Sequence, residues 1–482
     1  MTILKTENKT QEFVLKVGGS TTTDFFEVRS PYDNSLIAKV GKADTAMVNK
    51  ALSLSRTCFT NTMSKLKAFE RAKILDKAAK IMVERKLELA TTIAKEGGKP
   101  IVDAKVEVDR AVNTFEIASR LALTNESSFI PMDVSPLSDG RVSYLTYEPI
   151  GVVLAITPFN FPLNLVAHKL APALACSNTV ILKPASQTPI TSLLLQEILY
   201  SAGLPQDALI VLCLKGSDTN TLVESPHINA LTFTGSPSVG WELTKKTANG
   251  VKCILELGGN AASIVHCDAD LNLAATSLSK GAFSHAGQIC ISVQRIYVHK
   301  SVEEKFLNLF VNCVKNVTCG DPLDENTQVG PMINSQAVSS TQALIEDAVA
   351  NKAKVLLKGE VKENNIFTPT ILSDTKAKLK VMCEEVFGPV VCINSYEDID
   401  EAINCVNDSN FGIQASIFTN SLDTAFKAIQ KIDTTGVLVN DPPTFRADHI
   451  PYGGRKNSGL GLEGVKYTMR EMVKVKYASI KI

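Results

Sequence analysis

Most of the simple signals a chain can carry are missing from this one. Lys and Arg together number 50, as do Asp and Glu, so no net field recruits nucleic acid or an acidic membrane, and any partner must be recognised at a local site. No run of about 18 apolar residues occurs, so no membrane span is expected. The opening stretch MTILKTENKTQEF lacks the long apolar core of a secretion signal. Eleven cysteines, an odd count, include no Cys-x-x-Cys pair. Neither a disulfide framework nor a zinc site is therefore expected, and reduced thiols in a cytoplasmic setting fit best. Without a secretion signal, the glycosylation-like triplets Asn125-Glu126-Ser127 and Asn316-Val317-Thr318 read as chance. The six histidines (His168, His227, His266, His285, His299 and His449) show no metal spacing, and His168 reads as a satisfied helix residue.

What remains is an ordinary globular composition, 45% hydrophobic and 21% charged, over 482 residues, long enough for about three domains' worth of core. The first fifty residues alternate short β-like runs (Phe13 to Val17, Phe26 to Val28, Leu36 to Val40) with turn residues, which predicts a small antiparallel lead-in. Helical spacing of apolar residues then runs from Asp44 to Glu96 and from Val102 to Leu123, with Glu96-Gly97-Gly98-Lys99-Pro100 between them. From Gly151 the rhythm changes. Val152 to Ile156, Thr179 to Leu182, Ala208 to Cys213, Ala230 to Phe233 and Cys253 to Leu255 are predicted strands separated by helices, a repeat that buries a parallel sheet. A second α/β unit follows from Asn260, and the chain closes on a predicted strand, Val473 to Ile482, of the kind that pairs with another subunit.

Ligands of such sheets sit at the carboxyl ends of the strands, and that is where the informative residues fall. Thr157 and Pro158 follow the first strand, with Asn160 either capping the next helix or aiming its amide at a developing oxyanion. Lys183 and Ser186 follow the second, offering a cation and a hydroxyl to a ribose or phosphate. Gly235, Ser236 and Gly240 belong to a turn that opens a helix after the fourth, a place for a pyrophosphate, although that turn has no Gly-x-Gly-x-x-Gly. Glu256 and Leu257 stand where the fifth strand meets Gly258-Gly259, a position from which a carboxylate is aimed into a cleft. Cys290 lies in Gly287-Gln288-Ile289-Cys290, after a helical run from Leu271 to Phe283. A thiol and a carboxylate brought together by a fold are a nucleophile and a base.

The runs PFNFP (158–162), KPAS (183–186), FTGSPSVG (233–240), ELGGN (256–260), GQIC (287–290), EEVFGP (384–389) and PYGGRKNSGLG (451–461), in this order, resemble the aldehyde dehydrogenase superfamily over essentially the whole chain. The resemblance implies a Rossmann-like cofactor domain (1–123 and 144–257), a second α/β catalytic domain (258–447) and a small β oligomerisation element (124–143 and 467–482) of a homodimer or homotetramer. It implies NAD(P)-dependent oxidation of an aldehyde, with Cys290 as nucleophile, Asn160 and the Cys290 backbone N–H holding the oxyanion, and Glu256 as general base. Lys183 and Glu385 would contact the cofactor riboses, while Gly235, Ser236 and Phe387 would line the pyrophosphate and nicotinamide. Members that pass the acyl group to coenzyme A usually lack the Glu at 256, so hydrolysis is expected.

Two positions depart from common members. Many that prefer NAD have Glu where this chain has Ser186, so NADP is expected to be accepted, with NAD as the other candidate. Members acting on phosphorylated glyceraldehyde tend to carry Arg where this chain has Ile289, which argues against a phosphate substrate. Arg110 and Arg446 resemble funnel positions of members that take small hydroxylated or anionic aldehydes, with His449 the one histidine near that funnel. Lactaldehyde, glyceraldehyde or a short semialdehyde is the expected class. A cysteine-dependent hydrolase and a non-catalytic dinucleotide-binding or structural protein are the competing readings.

Overall fold

Val152–Ile156 is an unbroken apolar run, Thr179–Lys183 and Ala230–Thr234 are apolar but for Thr179, Lys183, Thr232 and Thr234, and every residue in the three is buried. Burial on both faces is what a parallel sheet under two helical layers demands. These strands sit inside a six-stranded sheet whose order is Leu209–Val211, Thr179–Lys183, Val152–Ile156, Ala230–Thr234, Lys252–Glu256 and Gly459–Leu460. The first five are parallel and the last is antiparallel. Chain order therefore reverses beside Val152–Ile156, the point at which such sheets open a crevice. The computed structural model describes residues 2–4, 11–124 and 126–482. The rest of the first ten residues, and Asn125 of the first glycosylation-like triplet, lie outside the described residues.

A seven-stranded sheet forms the second layer system, in the order Lys354–Leu357, Thr370–Ser373, Val390–Tyr396, Val293–His299, Ala261–Val265, Gln414–Phe418 and Gly436–Val439. Only the pairing of Lys354–Leu357 with Thr370–Ser373 is antiparallel. The two sheets are joined directly through Leu257-Gly258-Gly259-Asn260, so Glu256 ends one and Ala261 begins the other. The third sheet has three strands, Val473–Lys481, Arg141–Pro149 and Ser128–Ile130. Arg141–Pro149 pairs along its whole length with the closing strand, from Arg141 opposite Lys481 to Pro149 opposite Val473. The boundary expected at 143/144 thus falls inside one strand. No helix among the described residues is long and apolar enough to cross a membrane.

Other expectations change in detail. The lead-in sheet is mixed rather than antiparallel, because Gln11–Val14 runs parallel to Leu36–Gly41. Lys16–Val17 leaves that sheet to form a hairpin with Ser20–Thr21 through Gly18 and Gly19, both at positive φ. The run from Asp44 to Glu96 is three helices, Thr45–Asn61, Ala68–Glu84 and Lys86–Gly97, the first capped by the Asp44 carboxylate on the Met47 N–H at 2.7 Å.

Two buried glutamates tie this helical layer to the sheet. Glu96 accepts from the backbone N–H of Ile190 (2.8 Å) and Thr191 (2.9 Å) at the start of helix Ile190–Ala202. Glu107 accepts from Leu163 (2.9 Å) and Asn164 (3.1 Å) at the start of helix Asn164–Ala175, and also pairs with the fully buried Lys99. A carboxylate at a helix N-terminus satisfies donors that the helix itself leaves unpaired. Here those carboxylates come from helices far away in sequence.

Candidate active site

Along the carboxyl ends of the six-stranded sheet runs a cleft of about 630 Å³. Thr157 and Pro158 enter it from the first strand, Lys183 and Ser186 from the second, Gly235 and Ser236 from the fourth, Glu256 and Leu257 from the fifth. Asn160, Cys290, Glu385 and Phe387 complete its wall from elsewhere in the chain. Gly240 stands apart. It is the tightly packed backbone behind the turn, where a Cβ would come within 2.4 Å of Leu257 and 3.2 Å of Phe233.

The glycine pair after Glu256 is explained by what approaches it. A Cβ on Gly258 would fall 2.5 Å from a carboxylate oxygen of Glu385, and one on Gly259 would fall 2.0 Å from the backbone oxygen of Cys290. With no side chains there, the Glu385 loop and the Cys290 loop both close onto the junction between the two sheets. The Gly259 N–H then donates to Glu385 at 2.9 Å. Burial lifts the Glu385 carboxyl to about 7 against the pull of that N–H. Lys183 ends its strand buried; its ammonium donates to the Pro184 carbonyl at 3.1 Å, and burial lowers its pKa. Ser186 is exposed at the rim.

Cys290 is delivered by an unusual piece of backbone. His285, Ala286 and Gly287 lie at φ of 50°, 54° and 71°, a left-handed run of three, two of whose members carry a Cβ. Strain of this kind persists only where the surroundings enforce it. Gln288 supplies part of that enforcement, donating to the His285 carbonyl at 3.1 Å and accepting from the Ile333 N–H at 2.9 Å. Asn160 supplies more: its Nδ2 donates to the Gln288 carbonyl at 2.8 Å. Because a carbonyl can only accept, this bond fixes which end of the amide is which. Asn160 is therefore not a helix cap, and Glu107 has taken that task. The other Nδ2 proton is left for the cleft, and Oδ1 has no partner.

Burial above all, and then the Glu256 charge, push the Cys290 thiol well above its usual 9. Its Sγ lies 3.0 Å from the Tyr452 hydroxyl. Glu256 is fully buried with both carboxylate oxygens unpartnered. Burial, followed by the charge of Glu463, raises it to about 8. A carboxyl in that range can exchange protons near neutral pH.

Behind the thiol lies a chain of buried and half-buried charges. Arg446 stacks on the Tyr452 ring, 3.7 Å from its centroid, and reaches Glu463 at 3.2 Å; Glu463 also takes Lys169 at 2.8 Å. Burial disfavours the Glu463 carboxylate, but Lys169 and Arg446 outweigh it and hold its pKa below the ordinary range. Arg110 reaches Asp448 at 2.8 Å, and Asp448 reaches His168 at 2.9 Å. His168 is pulled to about 4, by burial first and the Arg446 charge second, and its Nδ1 has no partner. His449 is exposed.

Sequence reasoning placed Cys290, Glu256, Asn160 and the cofactor-side residues in one cleft, but it gave Tyr452, Lys169, Glu463, Asp448 and Glu107 no part. One signal was available: a lysine and a histidine in the otherwise apolar helix Asn164–Ala175 must find partners if that helix is buried.

The aldehyde dehydrogenase family model matches residues 18–478. The 3-sulfolactaldehyde dehydrogenase of Priestia aryabhattai is 43% identical over 465 residues, 96% of either chain. Among solved structures, glyceraldehyde-3-phosphate dehydrogenase of Methanocaldococcus jannaschii, complexed with NADP, is 38% identical with a TM-score of 0.91, over 95% of this chain and 99% of that one. Aldehyde dehydrogenase 21 of Physcomitrella patens, in complex with the reaction product succinate, is 35% identical with a TM-score of 0.94, over 98% and 99%. With the cleft, its half-buried thiol and this match over nearly the whole length, the chain belongs to the aldehyde dehydrogenase family and is an NAD(P)-dependent aldehyde dehydrogenase.

Proposed function

We propose that this cleft oxidises a small aldehyde bearing an anionic or hydroxyl substituent, with Cys290 as nucleophile, Asn160 as oxyanion donor and Glu256 as base. One observation carries the choice of substrate. Behind Tyr452, the three cations Arg446, Arg110 and Lys169 pair with two carboxylates among the described residues, Asp448 and Glu463, while Glu256, at about 8, is mostly protonated at neutral pH. One positive charge is left over in that group, and a carboxylate or sulfonate on the substrate would neutralise it.

The Cys290 sulfur adds to the aldehyde carbon, and the carbonyl oxygen takes up the electron pair. The remaining Asn160 Nδ2 proton and the Cys290 backbone N–H are the donors for that oxygen, each such donor being worth about 10²–10³ in rate. Bound NAD(P) would supply the acceptor for the hydride of that carbon; with the hydride gone and the C=O bond re-formed, Cys290 holds a thioester. Glu256 then takes a proton from water as the oxygen attacks the thioester; the C–S bond breaks, the acid leaves and the sulfur recovers its electron pair. The cleft suits the cofactor. Lys183 presents a buried ammonium with no carboxylate partner among the described residues, Glu385 is held by Gly259, and Ser186 leaves the rim without the negative charge that would repel a 2′-phosphate. NADP is accepted alongside NAD.

With the strand Arg141–Pro149 kept whole beside its partner Val473–Lys481, the chain divides into a cofactor domain (1–123 with 150–257), a catalytic domain (258–447) and an oligomerisation element (124–149 with 467–482). Exposed Val475, Tyr477 and Ile480 on the closing strand suit a homodimer or homotetramer in the cytoplasm. The test follows reduction at 340 nm with NADP and NAD in parallel over lactaldehyde, glyceraldehyde, succinate semialdehyde, 3-sulfolactaldehyde and glyceraldehyde 3-phosphate. Turnover of the first four, strongest with the anionic ones and abolished by Cys290→Ala, is expected. Turnover that survives Cys290→Ala, or that is confined to uncharged long-chain aldehydes, overturns the reading.

A further inference from the structure

Tyr452 is the bulkiest of the fully buried side chains among the described residues, at 1% exposure. Its backbone is clamped to Glu463 by a reciprocal pair of hydrogen bonds, with Tyr452 N–H donating at 3.0 Å and Glu463 N–H donating back at 2.6 Å. Its ring packs among Ile291, Ile413, Ile289 and Cys290, with the Arg446 guanidinium on one face. The hydroxyl has been carried into an apolar setting, where an unpaired phenol is costly and normally finds a partner. The partner it finds is Sγ of Cys290, at 3.0 Å.

Geometry decides what that bond can do. A thiolate has no proton, so toward it the phenol must donate. Burial above all, followed by the charges of Cys290 and Glu256, keeps the phenol protonated well past its ordinary range. Arg446 on the ring face draws electron density from the ring and polarises the O–H. No other buried donor reaches Sγ among the described residues.

We propose that Tyr452 is a catalytic residue whose hydroxyl donates to the Cys290 sulfur and holds the thiolate. The inference rests on Cys290 being the nucleophile. In the first step the Sγ proton leaves, for water or the Glu256 carboxylate, and the sulfur lone pair forms the C–S bond; Tyr452 stabilises the anion that precedes attack. In the last step the C–S bond breaks and its electron pair returns to sulfur, where the same O–H meets it. A donor matched to the free anion rather than to the thioether-like sulfur of the intermediates assists both entry and departure.

The test uses the full protein and iodoacetamide, with alkylation of the Cys290 peptide followed by mass spectrometry from pH 6 to 10, because ten other cysteines are present. In Tyr452→Phe, which keeps the ring, Cys290 alkylation at pH 7 is expected to fall about tenfold or more, and its pH profile to move up by about one unit. kcat is expected to fall with it while the KM for NADP holds. If Tyr452→Phe does not fold, 3-fluorotyrosine placed at 452, a stronger donor of nearly the same size, must move the profile the other way. An unchanged profile in either protein, with Cys290→Ala inactive, overturns the role of Tyr452 alone. Activity that survives Cys290→Ala overturns the nucleophile assignment, and this proposal with it.

Discussion

Replacing Glu256 by Gln should abolish turnover and at the same time stabilise the fold at alkaline pH. The carboxyl is 1% exposed, neither of its oxygens has a partner, and burial raises it from 4.5 to about 8. Between those two values the unfolded chain has released a proton that the folded protein still holds. Stability therefore falls as pH rises through that window and levels off above about 8. The full penalty is about 5 kcal/mol at 1.36 kcal/mol per pH unit, an upper figure because water at the cleft mouth relieves part of it. Gln keeps the shape and carries no charge at any pH. The stability gap between Glu256→Gln and the parent should widen by about 3 kcal/mol between pH 6 and pH 9, since only the part of the window above pH 6 is crossed. Glu96 and Glu385, both lifted to about 7, titrate in both proteins and largely cancel. With unfolding entropy near 2.1 cal/mol/K per residue over 482 residues, that is about 3 °C in Tm if the chain melts as one unit, and more if its domains melt separately. Scanning calorimetry of both proteins at pH 6 and pH 9, at matched ionic strength, reads the difference. A gap that is equal at the two pH values, or that narrows, refutes the buried, unpaired carboxyl. A general base is worth about 10²–10⁴ in rate, so the stabilised variant should be nearly inactive.

The strand Val152–Ile156 was legible because burial on both faces leaves an unbroken apolar run. Ala261–Val265 and Gln414–Phe418 were not, since small and polar residues in equally buried strands weaken the same signal. The reach of Glu256, Asn160 and Cys290 into one cleft could be read from local sequence because each sits where an element ends. What could not be read is whatever depends on pairing at a distance. Asn160 looks like a helix cap until Glu107, from another helix, takes the cap and frees the amide to hold the Gln288 carbonyl. Lys169 and Glu463 are 294 positions apart, and nothing along the chain announces that they will share a buried ion pair. Tyr452 likewise meets Cys290 only because Gly459–Leu460, just beyond it, adds an antiparallel edge to the sheet that ends in Glu256.

Ser186→Glu should move cofactor choice toward NAD, lowering kcat/KM for NADP at least tenfold with little change for NAD, because it adds a carboxylate at the rim where a 2′-phosphate would lie; equal losses on both cofactors would count against that placement. Arg446→Met should leave Glu463 to Lys169 alone and raise the KM for succinate semialdehyde about tenfold or more relative to lactaldehyde, and an equal rise for both would mean that Arg446 serves the Tyr452 ring rather than the substrate's charge. Gly259→Ala tests how tightly the thiol is placed. Its Cβ would stand 2.0 Å from the Cys290 carbonyl oxygen, with the Ile413 side chain 3.2 Å away on the other side, so the junction must open by about 1 Å at a cost of about 1–3 kcal/mol. A shift of that size at the nucleophile is worth about 10²-fold in turnover, and because the Gly259 N–H also holds Glu385, the KM for NADP should rise with it; a Gly259→Ala enzyme with wild-type kcat would show that the Cys290 loop is free to move and that its left-handed run is not what aims the sulfur.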